Sequence, residues 1–166
     1  MSERIKGVMA AGLTAFNNDL TIDVQGTIAH SRWLLANGCD GVLLFGTTGE
    51  ANSLSLKERL DFLDVLGASD LPMDRMMIGT GCCALPDTVD LTRKTLEIGI
   101  ESALMLPPFY YKNPTDNGLY THFARVLEKV ADPKLKVYLY HFPQMSAVPF
   151  SHELIGRFLK DFPGVF

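Results

Sequence analysis

Cysteine is scarce in this sequence: three residues, Cys39 and the adjacent pair Cys82 and Cys83, with no C-x-x-C spacing. An odd count without paired spacing excludes a disulfide framework and a zinc knuckle, and leaves reduced thiols in the core or at helix starts. Histidine is equally thin. His30, His122, His141 and His152 lie far apart and form neither H-x-x-x-H nor H-E-x-x-H, so no metal site is expected. An excess of one charge is missing too, since 15 Lys and Arg stand scattered against 19 Asp and Glu for a net charge of -4. Without a basic stripe there is nothing to track a phosphate backbone, and nucleic acid is excluded as a partner. No apolar run approaches the roughly 20 residues that span a bilayer, and the start MSERIKGVM lacks the build of a signal peptide. A cytoplasmic protein with no membrane partner is the expectation.

What is present is a repeat. The 166 residues, 47% hydrophobic and 20% charged, suffice for one core and fall short of two ordinary domains. Short apolar runs recur: GVMAAGL from Gly7, GVLLFG from Gly41, RMMIGTG from Arg75, SALMLPP from Ser102, KVYLYHF from Lys136 and GVF from Gly164. Their starts are 34, 34, 27, 34 and 28 residues apart, the length of a βα unit. The runs are continuous rather than alternating, as in parallel strands covered on both faces.

The segments between them carry helix signals. Ser55 followed by Glu58 is a capping box, with Leu56, Leu60 and Leu63 striping the helix behind it. Asp23, Asp87, Asp116 and Ser151 are the expected starts of the other helices, ahead of the pairs Ile28 and Leu35, Val89 and Leu96, Phe123 and Leu127, and Leu154 and Phe158. Two architectures fit: a doubly wound sheet of flavodoxin type, and the first five βα units of a (β/α)8 TIM barrel of about 250 residues. Because GVF reads as the start of a sixth strand, the barrel is preferred, and residues 1–166 are expected to be its N-terminal portion.

In either architecture ligands bind at the carboxyl ends of the strands. Behind GVLLF stands GTTGE, where Gly46 and Gly49 allow a sharp turn and Thr47 and Thr48 offer hydroxyls beside backbone N–H groups. That suits a carboxylate or a phosphate; the plainer reading is a strand-to-helix turn with local capping. Behind SALML stands PPFYYKNP with Tyr110, and behind KVYL stands YHFP with Tyr140. A lone tyrosine here would be read as core, but Thr and Tyr hydroxyls gathered at one end of a sheet can pass protons for carbonyl chemistry. GTGCCA, Gly79 to Ala84, has the loose form of a dinucleotide fingerprint, yet no acidic residue ends the next strand to hold a ribose.

GTTGE, then PPFYY with NGLY at Asn117–Tyr120, then Tyr140 in VYLYHFP, in this order and at these distances, resemble the dihydrodipicolinate synthase and N-acetylneuraminate lyase family of pyruvate-handling class I aldolases. The likeness runs from Gly7 to Phe166. It implies a TIM barrel followed by a short helical domain, in a cytoplasmic homotetramer that works without metal or organic cofactor. It implies catalytic roles for Thr47 in a proton relay, for Tyr140 as general acid/base, and for Tyr110 as the relay member that completes a neighbouring subunit's site. It also implies that Thr48, with Gly46 and Gly49, binds the keto-acid carboxylate. The family's central group is a lysine that forms a Schiff base with pyruvate or a related 2-keto acid. That lysine is expected shortly past the segment matching FPGVF, so this chain is expected to hold half a site, to lack the rest of the barrel and the helical domain, and to be inactive alone. Among its own lysines only Lys112 falls on the loop face, while Lys6, Lys134 and Lys136 precede strands.

Two departures bear on the substrate. Met145 stands where the synthases carry an arginine for their aldehyde substrate, and Leu56, Arg59 and Phe109 stand where some synthases sense lysine. The resemblance therefore favours an aldolase or lyase acting on a sugar-derived or other hydroxylated 2-keto acid over 4-hydroxy-tetrahydrodipicolinate synthase. The alternatives are a noncatalytic fragment that docks on a longer enzyme and a flavodoxin-like module that binds a small ligand.

Overall fold

Each of the first five apolar runs forms a short strand, and each stripe between them forms a helix, in the computed structural model, which describes residues 4–166. In order these are β1 (Met9–Ala11), α1 (Val24–Ala36), β2 (Gly41–Leu44), α2 (Leu56–Gly67), β3 (Met76–Gly79), α3 (Leu85–Glu97), β4 (Ser102–Met105), α4 (Asp116–Val130), β5 (Lys136–Leu139), α5 (Pro143–Ser146) and α6 (His152–Asp161). All four strand pairs are parallel, and the sheet order is β1-β2-β3-β4-β5. That sequential order has no switch point, so the doubly wound alternative is ruled out.

The sheet is curled. β2 and β5 are three strand spacings apart, about 14 Å in a flat sheet, yet the Thr47 hydroxyl beyond β2 and the Tyr140 hydroxyl beyond β5 stand 2.7 Å apart. At the opposite end Arg4, ahead of β1, donates to the Val165 carbonyl at 3.0 Å and lies over the Tyr138 ring of β5, 4.9 Å from its centroid. Side chains cross between non-neighbouring strands at both ends, as in the wall of a barrel.

Apolar burial follows the two-layer logic of this curl. One cluster packs α1, α2 and α3 against the outer face of β2 and β3 around Leu44, Phe62, Leu63, Ile78 and Leu91. A second packs α4 and α6 against β4 and β5, with Phe123 and Phe158 at 5.2 Å between ring centroids and Phe158 stacked on Phe166 at 4.7 Å. Fully burying side chains of this size is worth roughly 1.5–3 kcal/mol each.

Three helix starts fall where the sequence puts them. Asp23 accepts from Gly26 N–H at 2.9 Å, Ser55 and Glu58 complete their capping box, and Ser151 accepts from Leu154 N–H at 3.0 Å. Two differ. Thr115, not Asp116, caps α4 by accepting from Gly118 N–H, because a threonine one residue earlier reaches the same donors. α3 begins at Leu85 with no side-chain cap, since Pro86 fixes its first turn and Asp87 already lies inside it. Lys136 likewise does not precede a strand: it opens β5, buried and paired with Glu101 at 3.1 Å.

The expected sixth strand is only approached. Gly164 adopts a positive φ of 86° after α6, and Gly164–Val165 is a turn. Even so, Val137 N–H donates to the Val165 carbonyl at 2.7 Å, so this turn already sits on the outer edge of β5.

Candidate active site

The site is built where β2 and β5 end. Phe45, the residue after β2, turns the chain with a φ of 57° and is anchored edge-to-face on Phe62 of α2, 5.1 Å between centroids. A non-glycine residue in this region is uncommon and is held by its surroundings. This corrects the expectation for GTTGE: neither Gly46 nor Gly49 has a positive φ, and Phe45 and Glu50 make the left-handed turns. Gly49 is needed for space, while a Cβ on Gly46 would meet only the Leu43 side chain, at 3.2 Å. A Cβ on Gly49 would stand 2.9 Å from the Gly12 carbonyl and 3.3 Å from Thr14 Oγ1, and a Cβ on Gly79 of β3 would run into the Phe45 carbonyl.

The turn is internally fastened at its ends and open in its middle. Glu50 N–H donates to the Thr47 carbonyl, Ala51 N–H to the Gly46 carbonyl, and Thr14 Oγ1 to the Gly49 carbonyl at 2.6 Å. The N–H groups of Thr47, Thr48 and Gly49 have no acceptor among the described residues. Three consecutive donors beside the exposed hydroxyls of Thr47 and Thr48 are the kinds of group that hold a carboxylate.

Tyr140 reaches this turn from β5. Its backbone N–H donates to the Met105 carbonyl, extending the β4–β5 pairing by one residue, and its hydroxyl shares a hydrogen bond of 2.7 Å with Thr47 Oγ1. Either oxygen can be the donor, so a proton can move in either direction along the pair. Behind Tyr140 the loop is fixed: His141 Nδ1 accepts from Phe150 N–H at 3.2 Å, and Ser146 Oγ, buried, accepts from Val148 N–H.

Of the residues singled out from sequence, Thr47, Thr48, Gly46, Gly49 and Tyr140 share this one end of the sheet. Tyr110 stays apart. It is 71% exposed, its ring set edge-to-face on Tyr111, and no bond joins it to Thr47 or Tyr140. Lys112 on the same loop donates its ammonium to the Phe109 carbonyl. NGLY, which carried part of the resemblance, serves helix packing: Asn117 accepts from Arg157 of α6, and Tyr120 donates to Asp161 beneath the Arg157 guanidinium. In GTGCCA a Cβ on Gly81 would meet the Leu106 backbone at 2.2 Å, so this glycine makes room for the end of β4. Cys82, behind it, is buried with its thiol pushed up by desolvation against the pull of Arg59, whose guanidinium contacts the sulfur at 3.3 Å. Among the described residues no group of three or more His, Cys, Asp or Glu gathers where it could hold a metal, and no helix is long and apolar enough to cross a membrane. Thr14 and the positioning residues Phe45 and His141 were not foreseen; for Thr14, its place just past β1 at the same end of the sheet was the available signal.

A sequence profile described as the dihydrodipicolinate synthetase family matches residues 4–166. An uncharacterized DapA-like lyase of Chloroflexus aurantiacus is 36% identical over 157 residues, covering 94% of this chain and 52% of that protein. The crystal structure of dihydrodipicolinate synthase from Agrobacterium tumefaciens superimposes with a TM-score of 0.91 at 37% identity, covering 96% of this chain and 55% of that one. YagE, an Escherichia coli prophage protein of the dihydrodipicolinic acid synthase family crystallised with pyruvate, gives 0.81 at 26% identity, covering 93% and 51%. The chain thus spans about half the length of the curated relatives it matches.

Proposed function

The chain belongs to the dihydrodipicolinate synthetase family, and from that we propose that it carries the keto-acid half of a Schiff-base lyase or aldolase site for pyruvate or a related 2-keto acid. The observation that carries this reading is the hydrogen bond between Thr47 and Tyr140, set against three unclaimed backbone N–H groups. The carboxylate of the keto acid binds at Thr47–Gly49, where its charge meets N–H donors and the Thr48 hydroxyl. Its carbonyl carbon condenses with a lysine amine, losing water, and the amine comes from outside these residues, since Lys112 is turned to the Phe109 carbonyl. Tyr140, with Thr47 behind it, delivers and removes the protons that imine formation and carbon–carbon bond making or breaking require. The imine is the electron sink, so the reaction asks for no metal or organic cofactor. Tyr110, exposed on its loop, is the group that a second copy would receive, as in a cytoplasmic homotetramer.

Exchange of the methyl hydrogens of pyruvate in D2O tests this without knowing the second substrate. The enzyme in its natural full-length form should catalyse the exchange, and Tyr140→Phe and Thr47→Val should each slow it by about 10²–10⁴-fold. Unchanged exchange in both variants would overturn the assignment.

A further inference from the structure

A backbone turn attracts an anion only when its N–H edge, and not its carbonyl edge, faces the open side. In GTTGE the carbonyls of Gly46 and Thr47 are taken within the same stretch of chain, by Ala51 N–H and Glu50 N–H. The Gly49 carbonyl is taken from outside. Thr14 Oγ1 donates to it at 2.6 Å from 35 residues away along the chain, and both Thr14 and Gly49 are buried.

Thr14 is itself held on both sides. Before it, Gly12 N–H donates to the Leu43 carbonyl at 2.9 Å and carries the β1–β2 pairing past the end of β1. After it, Ala15 N–H donates to Thr27 Oγ1 at 3.0 Å, and the Ala15 carbonyl accepts from the N–H of Asp23, the cap of α1, at 2.8 Å. Thr27, buried in the first turn of α1, donates its hydroxyl to the Asp23 carbonyl at 2.9 Å. One line of bonds therefore runs from the start of α1 through Ala15 and Thr14 to Gly49. Removing the Thr14 hydroxyl would leave a buried carbonyl with no partner. Turned to the open side instead, that carbonyl would find water and set its negative end beside the carboxylate.

We propose that Thr14 is a positioning residue of the site, which holds the Gly49 carbonyl toward β1 and so keeps the N–H edge of Thr47–Gly49 free for the keto-acid carboxylate. The inference rests on the keto-acid reading above and adds to it the group outside the motif that sets the affinity for the keto acid. Thr14 takes no part in proton transfer, because its hydroxyl proton is committed to the Gly49 carbonyl. That work stays with Thr47 and Tyr140.

The test follows exchange of the pyruvate methyl hydrogens in D2O, in the natural full-length protein, and separates KM from kcat. Thr14→Val keeps the branched shape and removes the donor; it should raise the KM for pyruvate by about tenfold or more and leave kcat within about threefold. Thr14→Ser restores the hydroxyl and should return KM to within about threefold of the wild type. KM does not depend on how much of a preparation is folded, so a loss of folded protein alone would lower kcat and leave KM in place. If Thr14→Val does not fold, Thr14→Cys takes its place, and its weak thiol donor should raise KM by about threefold or more. A KM unmoved by loss of the hydroxyl, or raised as much by Thr14→Ser, overturns this inference alone. A fall in kcat as large as the rise in KM overturns the separation from proton transfer. A wild type that exchanges no pyruvate hydrogens overturns the keto-acid reading and this inference with it.

Discussion

At the scale of single residues, the site and its surroundings separate groups that sequence can reveal from groups it cannot. Thr47 and Tyr140 were legible because hydroxyls just past two strands must face one end of a parallel sheet, whatever the curvature. The left-handed turn at Phe45 was not, because glycines stood on either side of the motif and φ > 0 is their usual office. Here close packing claims Gly49 and an aromatic anchor supplies the turn. Arg59 is another residue that sequence alone misplaces: only 6% exposed, it has one acceptor, the Cys82 sulfur, and its Nε has none among the described residues. A buried guanidinium without a carboxylate costs desolvation that one thiol contact does not recover. Arg59→Met should therefore leave the urea midpoint unchanged or raise it, and a loss above about 1 kcal/mol would show that the guanidinium has a further partner.

Helices and strands were legible wherever an apolar stripe and a cap agreed, as in α2, and shifted where a second capping residue stood nearby. Thr115 precedes Asp116, and Pro86 precedes Asp87; both steal the start from the acid, which then sits in the first turn near the positive end of the helix dipole. The α2 capping box gives the element its sharpest test. Ser55→Ala should cost about 1 kcal/mol in urea unfolding. The pH dependence follows from Glu58, whose carboxyl is held below its ordinary value first by the Ser55 hydroxyl and then by the Ser55 backbone N–H. A carboxyl depressed on folding stabilises above its unfolded pKa, about 4.3, and that contribution disappears as pH falls through the lower folded value. The acid limb of the stability profile should accordingly be flatter in Glu58→Gln than in the wild type, and an unchanged limb would remove the box from the account.

The whole molecule was legible as a run of βα units because the runs repeat at one length, but the choice between two α/β architectures needed the strand order, which propensities do not encode. The curl that brings Thr47 to Tyr140 makes a half-site out of side chains 93 residues apart. Among the described residues the outer edge of β5 meets the turn at Val165, whose carbonyl accepts from Val137 N–H, beside an apolar groove of about 340 Å3 lined by Val137, Leu139, Ile155 and Phe166. Open edges of this kind pair with other chains. The isolated 166-residue chain should sediment as more than a monomer, and a monodisperse monomer would mean that the turn at Val165 covers the edge by itself. A keto acid held as an imine against the Thr47–Tyr140 pair is trapped by incubating the natural full-length protein with pyruvate and borohydride and mapping the product by mass spectrometry. One reduced pyruvyl group per chain, on a lysine other than Lys112, is the predicted result. A chain that stays unmodified, or one modified at Lys112, would contradict the account.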